Sequence, residues 1–310
     1  MNIESGTVLI TGPTGGLGRA ATLALASRPT SARPDLLLVG RGGSRLDEVT
    51  AAARAGGATV QSIAADLASL ADVRDAAARV RSLVGDGTVR PLRSIVANAG
   101  VSVLDTHGAS ADGYETTFAV NHLAHAQLIG DLLPTVTEPA RIVLLGSNTY
   151  YENIFRRIIG VPAARWRDPL ELARPTPAGE DAAPDAAGVA YSDSKLAVLY
   201  YAHELQRRAP HDVHVLVFEP GFMPGTGLSR EHGAAMQRIG RLLERVPRVS
   251  SPARSGPLLA SVAVDAAWTA LPGAAFVVKG RERKVEDFAC DPVREARLWE
   301  ATQELLRAAR

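Results

Sequence analysis

The chain has 310 residues, 46% of them apolar and 22% charged, and carries a formal net charge of +1. These values suit one large α/β domain with a sizeable core, and the mixed charges give no field that would gather nucleic acid or anionic lipid. A single cysteine, Cys290, excludes an intrachain disulfide or a Cys-rich zinc site and suits a reducing compartment. No apolar run approaches the ~18 residues of a membrane span, and strand-like residues begin too early for a secretory leader. The expectation is a cytoplasmic protein without membrane or nucleic-acid partners.

The first strand-like run, Thr7–Thr11, feeds Gly12-Pro13-Thr14-Gly15-Gly16-Leu17-Gly18 and then a helical pattern over Gly15–Ser27. Gly12 suits a tight turn, Gly16 a backbone approach to a pyrophosphate, and Gly18 close helix–strand packing. The helix start offers free N–H groups to phosphate. A second run, Asp35–Gly40, ends without the acid that an NAD site uses on the ribose 2′-OH. Gly40 stands there, followed by Arg41 and, one turn on, Arg45. A guanidinium suits a 2′-phosphate, so NADPH/NADP is the expected cofactor.

A helical pattern over Ser44–Ala55 precedes the third strand, Thr59–Ala65, which leads to Asp66-Leu67 and a helix over Ser69–Val84. The fourth strand, Arg93–Ala97, leads to Asn98-Ala99-Gly100, and a long helix is predicted over Asp112–Leu133. Its His122 and His125 have helical spacing for a metal, but no third ligand is evident, and no metal is assigned. The fifth strand, Arg141–Gly146, ends at Ser147. These early strands are continuous apolar runs, as buried parallel strands require.

Residues 149–188 break the rhythm with many Pro and Ala and an apolar-basic piece around Phe155. So long an irregular stretch inside a compact domain suggests a lid or binding loop. Next come Tyr191-Ser192-Asp193-Ser194-Lys195 opening a helix to Ala209, a strand over Val213–Glu219, Pro220-Gly221, a helix over Pro252–Val264, a strand over Ala274–Val278 and a last helix over Asp291–Ala309. Tyr191 and Lys195, at i and i+4, share a helix face. A phenol with pKa ~10 is a poor acid–base at neutral pH, and a neighbouring ammonium favours its phenolate. The predicted fold is a Rossmann-type doubly wound parallel sheet of about seven strands in one catalytic domain, 1–310, with 149–188 inserted after strand five.

Gly12…Gly16-x-Gly18, Asp66, Asn98-Ala99-Gly100, Asn121, Ser147, Tyr191-x-x-x-Lys195 and Pro220-Gly221 together resemble the short-chain dehydrogenase/reductase family. The resemblance implies a tetrad of Asn121, Ser147, Tyr191 and Lys195. Tyr191 would be the proton donor, Ser147 would orient the carbonyl, and Asn121 would hold a water in a relay to Lys195. It also implies cofactor contacts from Gly12, Thr14, Gly15, Gly16, Leu17, Gly18, Arg41, Asp66, Leu67, Asn98, Ala99, Gly100, Tyr191, Lys195, Pro220, Gly221 and Thr226. Family members often pair through the two long helices, which implies a homodimer or homotetramer.

A narrower similarity, through Gly146-Ser147 before an insertion, Thr226 to His232 and Ala296 to Glu300, is to the light-dependent protochlorophyllide reductases. Asn121-His122-Leu123 is similar to retinol dehydrogenase-like members. Protochlorophyllide reductases carry a cysteine directly after the Pro-Gly pair, where this chain has Phe222. The usual threonine four residues beyond that glycine is Gly225 here, with Thr226 shifted by one. The expected reaction is hydride transfer to an apolar, bulky ketone or aldehyde, or its reverse, with Phe222, Met223 and Phe155 as substrate wall. The alternatives are reduction of a conjugated C=C bond and a non-catalytic dinucleotide sensor.

Overall fold

The computed structural model describes residues 3, 5–152, 161–221, 223 and 250–309. Phe155, Phe222 and Thr226 lie outside the described residues. Among those described, eight strands form one sheet in the order β3-β2-β1-β4-β5-β6-β7-β8. β1 (Thr7–Thr11), β2 (Asp35–Gly40), β3 (Val60–Ala64), β4 (Leu92–Ala97), β5 (Ala140–Leu145), β6 (Val213–Glu219) and β7 (Ala275–Val278) are all parallel.

β8 (Arg281–Arg283) turns back antiparallel on β7 through Lys279-Gly280, both with positive φ. It adds to the seven strands expected. Its three residues are exposed and charged, so it carries no apolar signal, and such residues suit an open sheet edge.

Alternation along each strand feeds two cores. Val8, Ile10, Leu36 and Leu38 point to one, whereas Leu9, Leu37 and Val39 point to the other. The first core is covered by α1 (Gly16–Ala26), α2 (Ser44–Ala55) and α7 (Pro252–Val264). The second is covered by α3 (Leu70–Gly85), α4 (116–132), α6 (Ala186–Arg208) and α8 (Pro292–Ala308). α4 begins as Thr116–Phe118, passes through a π-turn at Ala119–Leu123 and continues as Ala124–Leu132. It starts later than its apolar pattern suggested, because the Glu115 carboxylate caps it by accepting from the N–H groups of Thr117 and Phe118.

The described part of 149–188 is strapped to the body. Between residues 161 and 185 it contains one helical turn, α5 (Pro169–Leu172). Ser192 donates to the Pro162 carbonyl at 2.6 Å, Asp193 accepts from Arg165 N and the Arg167 guanidinium, and Arg297 on α8 holds Asp168. α6 begins at Ala186, more than a turn before Tyr191. The Ala-Gly opening after Pro184 masked that start, although alanine is a strong helix former.

The chain crosses from one side of β1 to the other between β3 and β4, so a crevice opens at the carboxyl ends of β1 and β4. No helix among the described residues is long and apolar enough to cross a membrane.

One buried charge ties the sheet to α7. Arg141, 1% exposed in β5, donates to the carbonyls of Val262 and Asp265 and to Thr269 Oγ1 at 2.8–3.1 Å. It satisfies carbonyls that a helix end leaves without partners. Burial lowers the guanidinium to about 10, so it stays charged at neutral pH. Arg141→Met should destabilise the fold by ~3 kcal/mol, since charged hydrogen bonds are lost and carbonyls are orphaned. A lower urea midpoint at unchanged slope would register this.

Candidate active site

The glycine turn follows β1 directly. Gly12 and Gly16 have φ of +65° and +51°. A Cβ on Gly18 would lie 2.1 Å from the Gly12 carbonyl oxygen, so α1 packs on the turn only because Gly18 lacks one. Gly15 stands at the N-cap and no side chain caps α1. Its first amides, from Gly16 onward, remain for an anion. The Leu17 side chain is buried in the core, which leaves its backbone N–H as the group it can offer. Thr14 and Gly15 are half-buried beside it. Gly40 ends β2 with its Cα side against Pro13, and Arg41 and Arg45 are exposed beyond it.

Asn98 and Ala99 hold this turn in place. Asn98 Nδ2 donates to the carbonyls of Thr11 and Gly12 at 2.9 and 3.2 Å, and Ala99 N donates to Thr11 Oγ1 at 3.0 Å. Asp66 forms a local turn by accepting from Ala68 N, while Leu67 is buried. After β6 the Pro220 carbonyl accepts from Ser255 Oγ, and Gly221 takes a φ of +88°. Met223 packs, partly buried, against the α1–α7 core.

The four residues of the expected tetrad come from three elements. Ser147 lies two residues past β5, is buried, and its Oγ accepts from Thr149 N at 3.3 Å. Tyr191 and Lys195 come from α6, with the Lys195 ammonium 5.7 Å from the Tyr191 ring centroid. Lys195 Nζ donates to the Leu145 carbonyl at 2.9 Å, where β5 ends. Burial pushes this ammonium down to about 8. A Cβ on Gly100 would lie 3.2 Å from Asn121 Oδ1 and 3.7 Å from Lys195 Nζ, so Gly100 lets the Asn121 and Lys195 side chains close around it.

The Asn121 side chain is fully committed. Oδ1 accepts from Val101 N at 2.8 Å, and Nδ2 donates to Val101 O at 2.9 Å and to Ser194 Oγ at 3.0 Å. It therefore staples the π-turn of α4 to the loop after β4 and to α6.

Residues 6–156 match a family model described as short chain dehydrogenase. DnrU of Streptomyces sp. (strain C5), named as a candidate daunorubicin C-13 ketoreductase, is 35% identical over 216 residues, 69% of this chain and 65% of that protein. The short-chain dehydrogenase iccH of Talaromyces variabilis is 32% identical over 157 residues, 47% of this chain and 42% of its own length. Protochlorophyllide reductase A of Oryza sativa subsp. japonica is 30% identical over 332 residues, which cover 98% of this chain and 81% of that one. The chain belongs to the short-chain dehydrogenase/reductase family.

Solved structures agree on this fold. A short-chain dehydrogenase from Burkholderia cenocepacia J2315, in complex with NADP, has a TM-score of 0.63 at 22% identity, with 89% and 97% of the two chains covered. Members of this family are oxidoreductases that use a nicotinamide dinucleotide, and the uncapped α1 start and glycine turn fit that group.

Sequence reasoning missed what lies directly behind this site. Thr11 Oγ1 meets His125 Nε2 at 3.0 Å, and His125 Nδ1 meets the Asn121 carbonyl at 3.3 Å. The only signal was the i, i+4 spacing of Asn121 and His125. The paired histidines diverge, because His122 Nε2 meets Thr302 Oγ1 of α8 at 2.7 Å. Among the described residues no cluster of His, Cys, Asp or Glu could hold a metal ion.

A lysine held at about 8 when folded and ~10.5 when unfolded binds fewer protons in the folded state between those values. Its burial therefore costs stability below pH 8, and the cost fades as pH rises through 8 toward 10.5. Lys195→Met should raise the stability of the cofactor-free dehydrogenase at pH 7 by ~2 kcal/mol, allowing for the orphaned Leu145 carbonyl. It should also abolish turnover. Urea melts at pH 7 and pH 10 test this, with the gain shrinking at the higher pH.

Proposed function

We propose that this dehydrogenase reduces an apolar, fairly bulky ketone or aldehyde at the expense of NADPH, or runs the reverse on the alcohol, with Tyr191 as proton donor. The carrying observation is the buried Lys195 ammonium 5.7 Å from the Tyr191 ring, at the strand end that leads into Ser147. NADPH, when bound, would supply the hydride that the carbonyl carbon takes up. Tyr191 gives its phenolic proton to the substrate oxygen, and Lys195 stabilises the phenolate that remains. Ser147 has its Oγ turned to Thr149 N as an acceptor, which leaves its proton to hold the same oxygen.

The residues from Gly12 to Gly18 receive the pyrophosphate, with Asp66, Leu67, Asn98, Ala99, Gly100, Pro220 and Gly221 bounding the rest of the dinucleotide site. Arg41 supplies the 2′-phosphate contact, since it stands exposed where an acid would serve NADH. The name of DnrU refers to a C-13 ketoreductase, which supports carbonyl reduction. Met223 borders the substrate, and the described part of 149–188 covers it as part of the single catalytic domain. The enzyme works in the cytoplasm. α8 lies over the outer side of α6, so a homodimer or homotetramer would assemble through other surfaces.

Reduction of a conjugated C=C bond is the second reading, favoured by the near full-length similarity to protochlorophyllide reductases. Phe222 in place of their cysteine speaks against it, and product analysis on an enone decides between the two. A non-catalytic sensor has no need of the Tyr191 and Lys195 pairing.

Tyr191→Phe should lower turnover by at least ~100-fold while NADPH binding is kept, as loss of a general acid requires. Arg41→Ala should raise KM for NADPH about tenfold and leave NADH nearly unchanged. Steady-state assays with both cofactors and a panel of bulky ketones check these outcomes. Equal losses with the two cofactors would remove the 2′-phosphate assignment.

A further inference from the structure

His125 is buried on α4, and the proton count around it is determined by its partners. The Asn121 carbonyl can only accept, so the 3.3 Å contact requires a proton on Nδ1. In a neutral ring Nε2 must then accept, and the Thr11 hydroxyl donates to it across 3.0 Å. Thr11 Oγ1 keeps its lone pairs for the Ala99 N–H at 3.0 Å. Every group in this chain is satisfied in one direction only, from Ala99 through Thr11 and His125 to Asn121. Burial, with a smaller push from Lys195, lowers the imidazole to about 4, which keeps the ring neutral at working pH.

The chain joins three pieces of the site that are far apart in sequence. Thr11 immediately precedes the glycine turn. Ala99 belongs to the loop after β4. Asn121 lies in the π-turn, and its amide group reaches both that loop and Ser194 on the catalytic helix. His122 is an internal contrast. It is equally buried on the same helix, yet it packs between Phe118 and Tyr201 and bonds to Thr302, away from the site.

We infer that His125 is a positioning residue: its ring, protonated on Nδ1 alone, pins the Asn121 carbonyl to the Thr11 hydroxyl and so holds the cofactor turn and the Asn121–Lys195 corner in fixed relation. This rests on the reductase reading for its effect on rate, but not for its geometry. The titratable groups around the ring are Lys195 from α6 and His122 one turn back. Of these, only the lysine changes charge in the alkaline range, so misplacing the Asn121 corner is felt in the alkaline limb of the rate profile.

Two variants divide the ring's two contacts. In His125→Asn the amide nitrogen falls near the place of Nδ1 and can still donate to the Asn121 carbonyl. In His125→Gln it falls near Nε2 and keeps Thr11 instead. The glutamine variant should lose about tenfold in kcat at nearly unchanged KM, with its alkaline limb displaced. The asparagine variant, which releases Thr11 and with it the cofactor turn, should instead raise KM for NADPH about tenfold at nearly unchanged kcat, and His122→Gln should keep the wild-type pH profile.

Long-range 15N–1H correlation of the histidine rings in the full chain should show His125 protonated on Nδ1 and His122 on Nε2. A proton on Nε2 of His125 would overturn the inference whatever the kinetics. Equal losses in the two His125 variants with an unmoved pH profile would also overturn it, leaving the ring a packing element. If wild type reduces no carbonyl substrate, the reductase reading falls separately and the ring tautomer still decides the linkage.

Discussion

The site is organised around a buried ammonium whose hydrogen bond goes to a neutral acceptor. Lys195 Nζ donates to the Leu145 carbonyl, so its charge is oriented by a main-chain dipole at the carboxyl end of a parallel strand. Desolvation is the cause of its lowered pKa, and a group so placed does not serve stability. Its effect is to hold positive potential beside the Tyr191 ring in a medium of low dielectric, where such potential acts strongly. Stability surrendered at a site in this way is the ordinary trade between folding and function.

That placement demands rigidity from every neighbour. β5 must end at Leu145 for its carbonyl to be available, and Gly100 must lack a side chain for the lysine and Asn121 to approach. The π-turn brings Asn121 inward, and three hydrogen bonds from its amide group fix the turn against the β4 loop and α6. A π-turn inside an α-helix is uncommon and tends to mark functional positions. Here its retention follows from partners on two other elements rather than from the helix itself.

The parts legible in the sequence were those whose signal is local. Continuous apolar runs revealed the parallel strands, and the Tyr191–Lys195 spacing revealed a shared helix face because both residues sit on one helix. β8 was hidden since an edge strand of Arg-Glu-Arg has no buried face to pattern. The first turn of α6 was hidden by Ala and Gly, which read equally as loop. The Thr11–His125 contact spans 114 positions and exists only because the strand order sets β1 beside β4, with α4 packed over both. Asn98 and Ala99 follow β4 directly, and their hydrogen bonds to β1 depend on that same strand pairing.

The outer side of α6 completes the logic. From Ser192 to Ala202 every residue of this helix is buried, a pattern expected of a helix with neighbours all round rather than of one at a surface. Those neighbours are the strap around Arg165–Ala173 and α8. Trp299 stacks on Tyr201 at 5.4 Å, Glu295 takes His203 and Arg207, and Thr302 reaches back to His122 on α4. Members of a family that pair through these helices would find that face already filled by the chain itself. α6 is therefore clamped from within one chain: the sheet sets the depth of Lys195, and α8 and the strap prevent α6 from sliding away from it.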